Sequence, residues 1–496
     1  MKKLLLPSIV LLLLLVACMK PEELQKNPNK ANVATPGSVL TGVEEDMFTS
    51  QWGFAQRSSQ YHCVVNAYYG SQSYDFGAAS HRYYQLRNVM QMEKEARRTG
   101  GPDSRAYLAL GLFLRAWFYI QMTVQVGDIP MSQAMMAEQG IIAPVYDTQR
   151  DVYLQCLELL RRANDSLGAL NREGGKTVAG DVFYKGDLDR WQRMVNAFRL
   201  RVLIGLSKKT GDAGLKIPET FAFIVSHPDQ CPLPRSNADN LVVTYSDASV
   251  DNYNPSYSAT PGASSRNSPL AATFVSLMVK LKDPRLMVVA LPSALADSLP
   301  ESAGDFRSYR GAATGTLQKP MSDSAAAGYY SHPDPACWFA SKTGRPTILF
   351  GYPELQFTIA EAACRGWISG NAAPYYESGI RASMESYGLS GEAVNGYLAQ
   401  ETVRYADNEQ QGLEQILTQK YIDFFQMGGW EPFYNQRRTG VPVFGIGPSN
   451  QNGGKIPLRW FYPPFEYIDN GQNLQAALNR QYGGIDQLNG QMWLIR

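Results

Sequence analysis

Residues 103–127 read DSRAYLALGLFLRAWFYIQMTVQVG. Apolar side chains at Ala106, Ala109, Leu110, Phe113, Ala116, Trp117 and Ile120 recur at intervals of three and four, a spacing that a helix gathers on one face. Asp103, just after Pro102, stands where an N-cap belongs, and Gly127 ends the run. The same spacing returns at Val152, Cys156, Leu159, Leu160, Ala163 and Leu167. It returns again at Trp191, Met194, Val195, Phe198 and Val202. Amphipathic helices of about 20 residues with short breaks between them suit stacked pairs of the tetratricopeptide type, though no strict repeat consensus is present. The expected fold is therefore mainly α, with a helical-pair scaffold over residues 37–235.

Beyond that scaffold the character changes. Residues 236–345 are rich in loops, and SDASVDNYNPSYSATPGASSRNS at 246–268 has only scattered apolar positions. Asn240–Tyr245 is a candidate short strand, so little β is expected, and 283–294 fits either helix or strand. A loop region this long inside a compact lobe is uncommon unless it serves a function. Its aromatics, among them Tyr253, Tyr257, Phe306, Tyr309, Tyr329, Tyr330 and Trp338, favour one. Residues 346–496 return to helices at 352–367, 373–387 and 409–426. A Gly-, Pro- and aromatic-rich end follows, with a short helix near 473–482.

The chain opens on MKKLLLPSIVLLLLLVAC. Lys2 and Lys3 precede an apolar run, Leu4 to Val16, that is shorter than the roughly 20 residues a spanning helix needs. It reads as a signal peptide, residues 1–17. Leu15-Val16-Ala17-Cys18 resembles the bacterial lipobox, in which small residues lead into a cysteine that is acylated. Residues 18–36 read as a lipidated tether, polar and interrupted by Pro21, Pro28 and Pro36. Glu22 and Glu23 resemble the acidic export signal that sends lipoproteins to the cell surface in Bacteroidetes-type bacteria. No second long apolar run stands out, so the lipid on Cys18 would be the only membrane attachment.

Lys plus Arg number 46 against 45 Asp plus Glu, a balance that offers no electrostatic reason for nucleic acid as a partner. Cys63, Cys156, Cys231, Cys337 and Cys364 are widely spaced and form no CxxC, which argues against a disulfide framework or a zinc site. Cys156 and Cys364 fall in helical patterns as small buried hydrophobes. Catalytic signatures are missing. His62, His81, His227 and His332 lie far apart with no metal-ligand spacing. Gly388-Leu389-Ser390-Gly391 lacks the closing glycine of a nucleophile elbow. Before Gly175-Lys176-Thr177, Leu170 occupies the position of a P-loop's first glycine. Asp247 and Asp251 have no EF-hand spacing and read as solvated loop carboxylates. A carboxylate pair for glycoside hydrolysis stays open, because its members can be distant in sequence.

The C-terminal part carries a family resemblance. Gln419-Lys420-Tyr421, Gly428-Gly429-Trp430, Arg437-Arg438-Thr439-Gly440 with Pro442, and Ile456-Pro457-Leu458-Arg459-Trp460-Phe461-Tyr462-Pro463 with Glu466 and Asn470 resemble signature segments of the SusD/RagB family. The helix with Glu361 and Arg365-Gly366-Trp367, the turn Gly127-Asp128-Ile129-Pro130, and Asp187 with Trp191, Asn196 and Arg199-Leu200-Arg201 resemble the same family, as does Asn27-Pro28-Asn29. The resemblance implies four tetratricopeptide-like pairs carrying a loop-rich second part. It also implies a lipid-anchored outer-membrane protein that captures glycan, or in some members peptide, for a SusC-type TonB-dependent transporter. Members bind and do not catalyse, so neither a cofactor nor a metal is expected. Arg437, Arg438, Arg459 and Glu361 lie among apolar and aromatic residues, and are expected to form partly buried ion pairs that fix the scaffold.

An uncharged sugar offers apolar C–H faces and many hydroxyls, so its capture needs aromatic rings flanked by polar side chains. Two stretches fit. One contains Trp52, Tyr68, Tyr69 and Tyr74; the other contains Tyr309, Arg310, Tyr329, Tyr330 and Trp338. In the family the ligand lies between loops from corresponding regions. Tyr83 and Tyr84 instead are expected to cover a helix end. The rival reading from another class is a secreted glycosidase with an aromatic cleft.

Overall fold

The computed structural model describes residues 34–298 and 305–496; the expected signal peptide, Cys18 and its acidic neighbours lie outside the described residues. Helices dominate. Helix α1 (Pro36–Glu45) packs on α2 (Tyr83–Thr99), and α2 packs on α3 (Ser104–Val126) across a connection of Gly and Pro. α4 (Gln149–Glu173) packs on α3 and on α5 (Leu188–Gly205). α6 (Tyr352–Cys364) then joins α5 to α7 (Ala373–Glu385) and α8 (Glu409–Asp423). This succession is the helical-pair stack that the 3.6-residue period foretells.

α3 is long and apolar enough to cross a membrane by length and composition, yet 78 % of its apolar window is buried by other parts of the chain. It is a core helix. Its aromatics Phe113 and Trp117 meet Trp191 and Phe198 of α5 at 4.8–5.6 Å. α5 also buries cations. Arg201 donates Nε to Glu354 Oε1 at 2.6 Å and Nη2 to Leu349 O, which ties α5 to the first turn of α6. α1 is held by acids. The Glu44 carboxylate accepts from Val182 N, and the neighbouring Asp181 accepts from Tyr184 N, Gly186 N and Trp191 Nε1.

Strands are few. β1 (Leu241–Val243) lies antiparallel to the later segment Thr347–Phe350, with Val242 opposite Ile348 and a bulge after Leu241. β2 (Ala290–Leu291) pairs with β3 (His332–Pro333). The first pairing brings together the two ends of the loop-rich region, which therefore leaves and rejoins the scaffold at one place. The ambiguous 283–294 stretch resolves into a helical turn, Arg285–Val289, leading directly into β2.

The signature segments form the hub. α9 (Glu431–Thr439) presents Arg438, which donates from both terminal nitrogens to Glu361 of α6 at 2.5 and 2.9 Å. Arg459 pairs with Asp486. Arg437 departs from the expected ion pair: its guanidinium donates to the carbonyls of Leu458 and Val124 instead. α10 (Gly471–Tyr482) closes the chain against Asp128, which accepts from Arg480. Cys156 is fully buried, whereas Cys364 is half-buried with its thiol on Glu409 O; all five described cysteines are free.

Candidate functional site

The polar 51–87 stretch docks on the C-terminal hub through amides and phenols. Gln56 Nε2 donates to Met427 O and Gly429 O, and Tyr61 stacks on Tyr421 with ring centres 4.5 Å apart. Trp52 enters the same seam. Its half-buried indole meets Trp338, Phe339 and Phe425 at 5.3–5.8 Å. Trp338 itself is 1 % exposed and donates Nε1 to Val289 O at 3.0 Å. Three distant segments therefore meet in one aromatic knot, which buries Trp338 and half-buries Trp52.

Three further expected contacts are corrected by burial. Tyr74 lies inside, its phenol accepting from Gln60 Nε2 and donating to Ser58 O. Tyr309 belongs to the main core. Tyr330 belongs to a small satellite core with Cys63, Ala271, Ala312 and Met321. These rings are used to seal loops that lack a helix to cover them. His62 is buried as well, and burial followed by the nearby Arg57 charge pushes its imidazole down to about 3, so it stays neutral.

Tyr68, Tyr69, Arg310 and Tyr329 remain. Tyr68 is 87 % exposed; Tyr69 and Tyr329 are each 48 % exposed. Tyr68 and Tyr69 stand edge to face at 5.2 Å on a 3-10 turn, Ala67–Tyr69, which the Asn66 side chain caps by accepting from Tyr68 N. The turn is held from below by Arg57, which donates Nε to Ser71 O and Nη1 to Tyr69 O at 2.9 and 3.0 Å. Gly70 sits at φ +113°, and a Cβ there would come within 2.4 Å of Arg57 Nη2. Only glycine accommodates that approach. Arg310 lies over the Tyr329 ring at 5.3 Å, and Tyr329 in turn meets Tyr330 edge to face.

The two stretches come together. Val65, from the loop leading to Tyr68, packs on the satellite core that contains Tyr330. Leu270 N donates to Ser331 O and Val65 N to Asn267 O, which links the tyrosine turn to the Tyr329 loop through residues 267–270. Asn267 Nδ2 reaches Tyr69 Oη at 3.4 Å, and Gln318 Nε2 reaches Gly70 O at 3.4 Å. Asn66, Asn267 and Gln318 are thus polar neighbours that sequence reasoning missed. Their signal was weak, since each lies in a segment rich in similar residues. The result is a face of tyrosine rings, amides and one guanidinium on rigidly pinned loops.

A helical-repeat stack bearing an exposed tyrosine face has the surface chemistry of a solute-binding protein. The chain belongs to the SusD-like family: residues 28–463 match the family profile described as starch-binding and associating with the outer membrane. A SusD homologue from Bacteroides fragilis shares 28 % identity at a TM-score of 0.84, with 93 % of this chain and 100 % of that one covered. A second from the same organism shares 33 % identity at 0.81, covering 93 % and 99 %. A chitin-binding SusD homologue from Flavobacterium johnsoniae shares the fold at 22 % identity and a TM-score of 0.74, covering 93 % and 98 %. No curated protein sequence matches the chain.

Proposed function

We propose that the protein is a cell-surface lipoprotein that captures an oligosaccharide or polysaccharide and passes it to a SusC-type TonB-dependent transporter. The observation that carries this reading is the Tyr68–Tyr69 turn, held by Arg57, Asn66 and Asn267, linked through residues 267–270 to the loop of Tyr329 and Arg310: three rings exposed by about half or more. Exposed rings of this kind stack on the C–H faces of sugars, and the flanking amides serve the hydroxyls. The family description and the chitin-binding relatives support a glycan over a peptide. Lipidation at Cys18 would hold the protein at the outer membrane beside its transporter. The face has the chemistry of holding a sugar, with rings and amides, and the reading assigns it no catalytic step.

A glycan array on the full chain in detergent, followed by product analysis of every ligand bound, tests this. Saturable binding with the glycan recovered intact is the expected result. Recovery of shortened glycan would favour a glycosidase, and binding of peptides alone would replace the ligand class.

A further inference from the structure

A cleft with a lining distinct from the tyrosine face opens between α3, α5 and α9. It encloses about 1280 Å³, the space at its open mouth included, a size suited to a small organic ligand. One wall is aromatic. Trp430 and Trp460 cross edge to face at 4.8 Å and 90°, and Phe54, itself 42 % exposed, meets Trp430 at 5.3 Å. Gln121 and Gln125 of α3 supply amides along another side.

One charge in this lining is unspent. Arg201 is already satisfied by Glu354 and Leu349 O. Arg82, at the start of α2, also lines the cleft, and its guanidinium makes no hydrogen bond or ion pair with any described residue; only its backbone N–H is engaged, on Met122. The Glu431 side chain, 24 % exposed, is spent on an ion pair with Arg201 Nη1 at 3.9 Å. A fork-shaped cation without a bonded anion, in a cleft that also presents the exposed Phe54 and the half-buried Trp430, is a place for a planar carboxylate attached to a ring. A neutral sugar would leave Arg82 unused, and a free amino acid would leave the glutamine amides without hydroxyls to bind.

We propose that this cleft is a second binding site, one that takes a carboxylate-bearing saccharide residue. Its sugar ring lies against Phe54 and the accessible part of Trp430, its carboxylate meets Arg82, and its hydroxyls meet the Gln121 and Gln125 amides. The site does not depend on the Tyr68–Tyr69 face, and the two are separable by mutation.

The test is a tryptophan-fluorescence titration of the full chain in detergent with sodium glucuronate, using glucose and glycine as controls. Glucuronate is expected to saturate at least about ten-fold below glucose, the discrimination that one charge-assisted hydrogen-bonded pair provides. Arg82→Gln abolishes that preference, Arg82→Lys keeps part of it, and the Tyr68→Ala/Tyr69→Ala double variant leaves it intact. Because the Arg82 side chain has no protein partner, both variants are expected to melt like the parent. Equal binding of glucuronate and glucose, an unchanged preference in Arg82→Gln, or competition by glycine as strong as by glucuronate would each overturn the proposal.

Discussion

Trp338 and Tyr68 are both aromatic residues in loops, yet one is 1 % and the other 87 % exposed. Their substitutions should separate accordingly. Trp338→Ala removes a knot shared with Trp52 and Phe425 and is expected to cost about 3–5 kcal/mol in denaturant unfolding. Tyr68→Ala should stay within about 0.5 kcal/mol. A Trp338→Ala protein as stable as the parent would show that the knot is not structural. Composition could not tell these rings apart. Glycine, serine and asparagine around Trp52, Tyr74 and Trp338 suggest exposure, but in this fold those loops cover one another, and their aromatics become the covering. Asp423 offers a second test at this scale. Burial raises its carboxyl to about 7, with Ser383 and Arg285 offsetting only part of the rise. The folded protein then holds a proton that the unfolded chain has released. Stability is therefore expected to fall as pH rises from about 4 to 7, and Asp423→Asn should flatten that slope. An unchanged slope in the variant would assign it to other groups.

Among the elements, the long helices were legible because their packing repeats the 3.6-residue period; 352–367, 373–387 and 409–426 differ from α6, α7 and α8 only at their C-terminal ends. α9 was not legible. Its sequence, EPFYNQRRT, has no clean apolar stripe, and its cations face inward onto Glu361 and backbone carbonyls. Glu361 shows what that arrangement does. Burial alone would raise its carboxyl, but Arg438, with Lys420 and Arg365 near, more than offsets this and holds it down to about 2. Its contribution is present above pH 4.5 and is lost as pH falls toward 2. Glu361→Gln, which strands Arg438 inside, is expected to cost about 3–5 kcal/mol by thermal or denaturant unfolding at pH 7. A near-neutral effect would mean that water reaches this seam.

For the molecule as a whole, helical class and family resemblance were readable over most of the chain, because the signature segments build a hub that bonds to α3 and α6. The proposed binding face was readable only in part. Sequence placed Tyr68, Tyr69, Arg310 and Tyr329 in two stretches, but the satellite core of Cys63, Met321 and Tyr330 that joins those stretches comes from residues far apart in the chain. At this scale the proposed tether at Cys18 is expected to be separable from the fold. Cys18→Ala is expected to keep the parent's melting temperature and glycan affinity while leaving the membrane fraction, as fractionation and a thermal melt would show. Loss of folding in that variant would contradict a purely anchoring role.

The pinned tyrosine face is proposed to hold the glycan. Isothermal titration of maltoheptaose and chitohexaose into the full chain, compared with the Tyr68→Ala/Tyr69→Ala variant, addresses it most directly. Saturable binding to one of these glycans, weakened about ten-fold or more in the variant at an unchanged melting temperature, is the expected outcome. Equal affinity in parent and variant would contradict it.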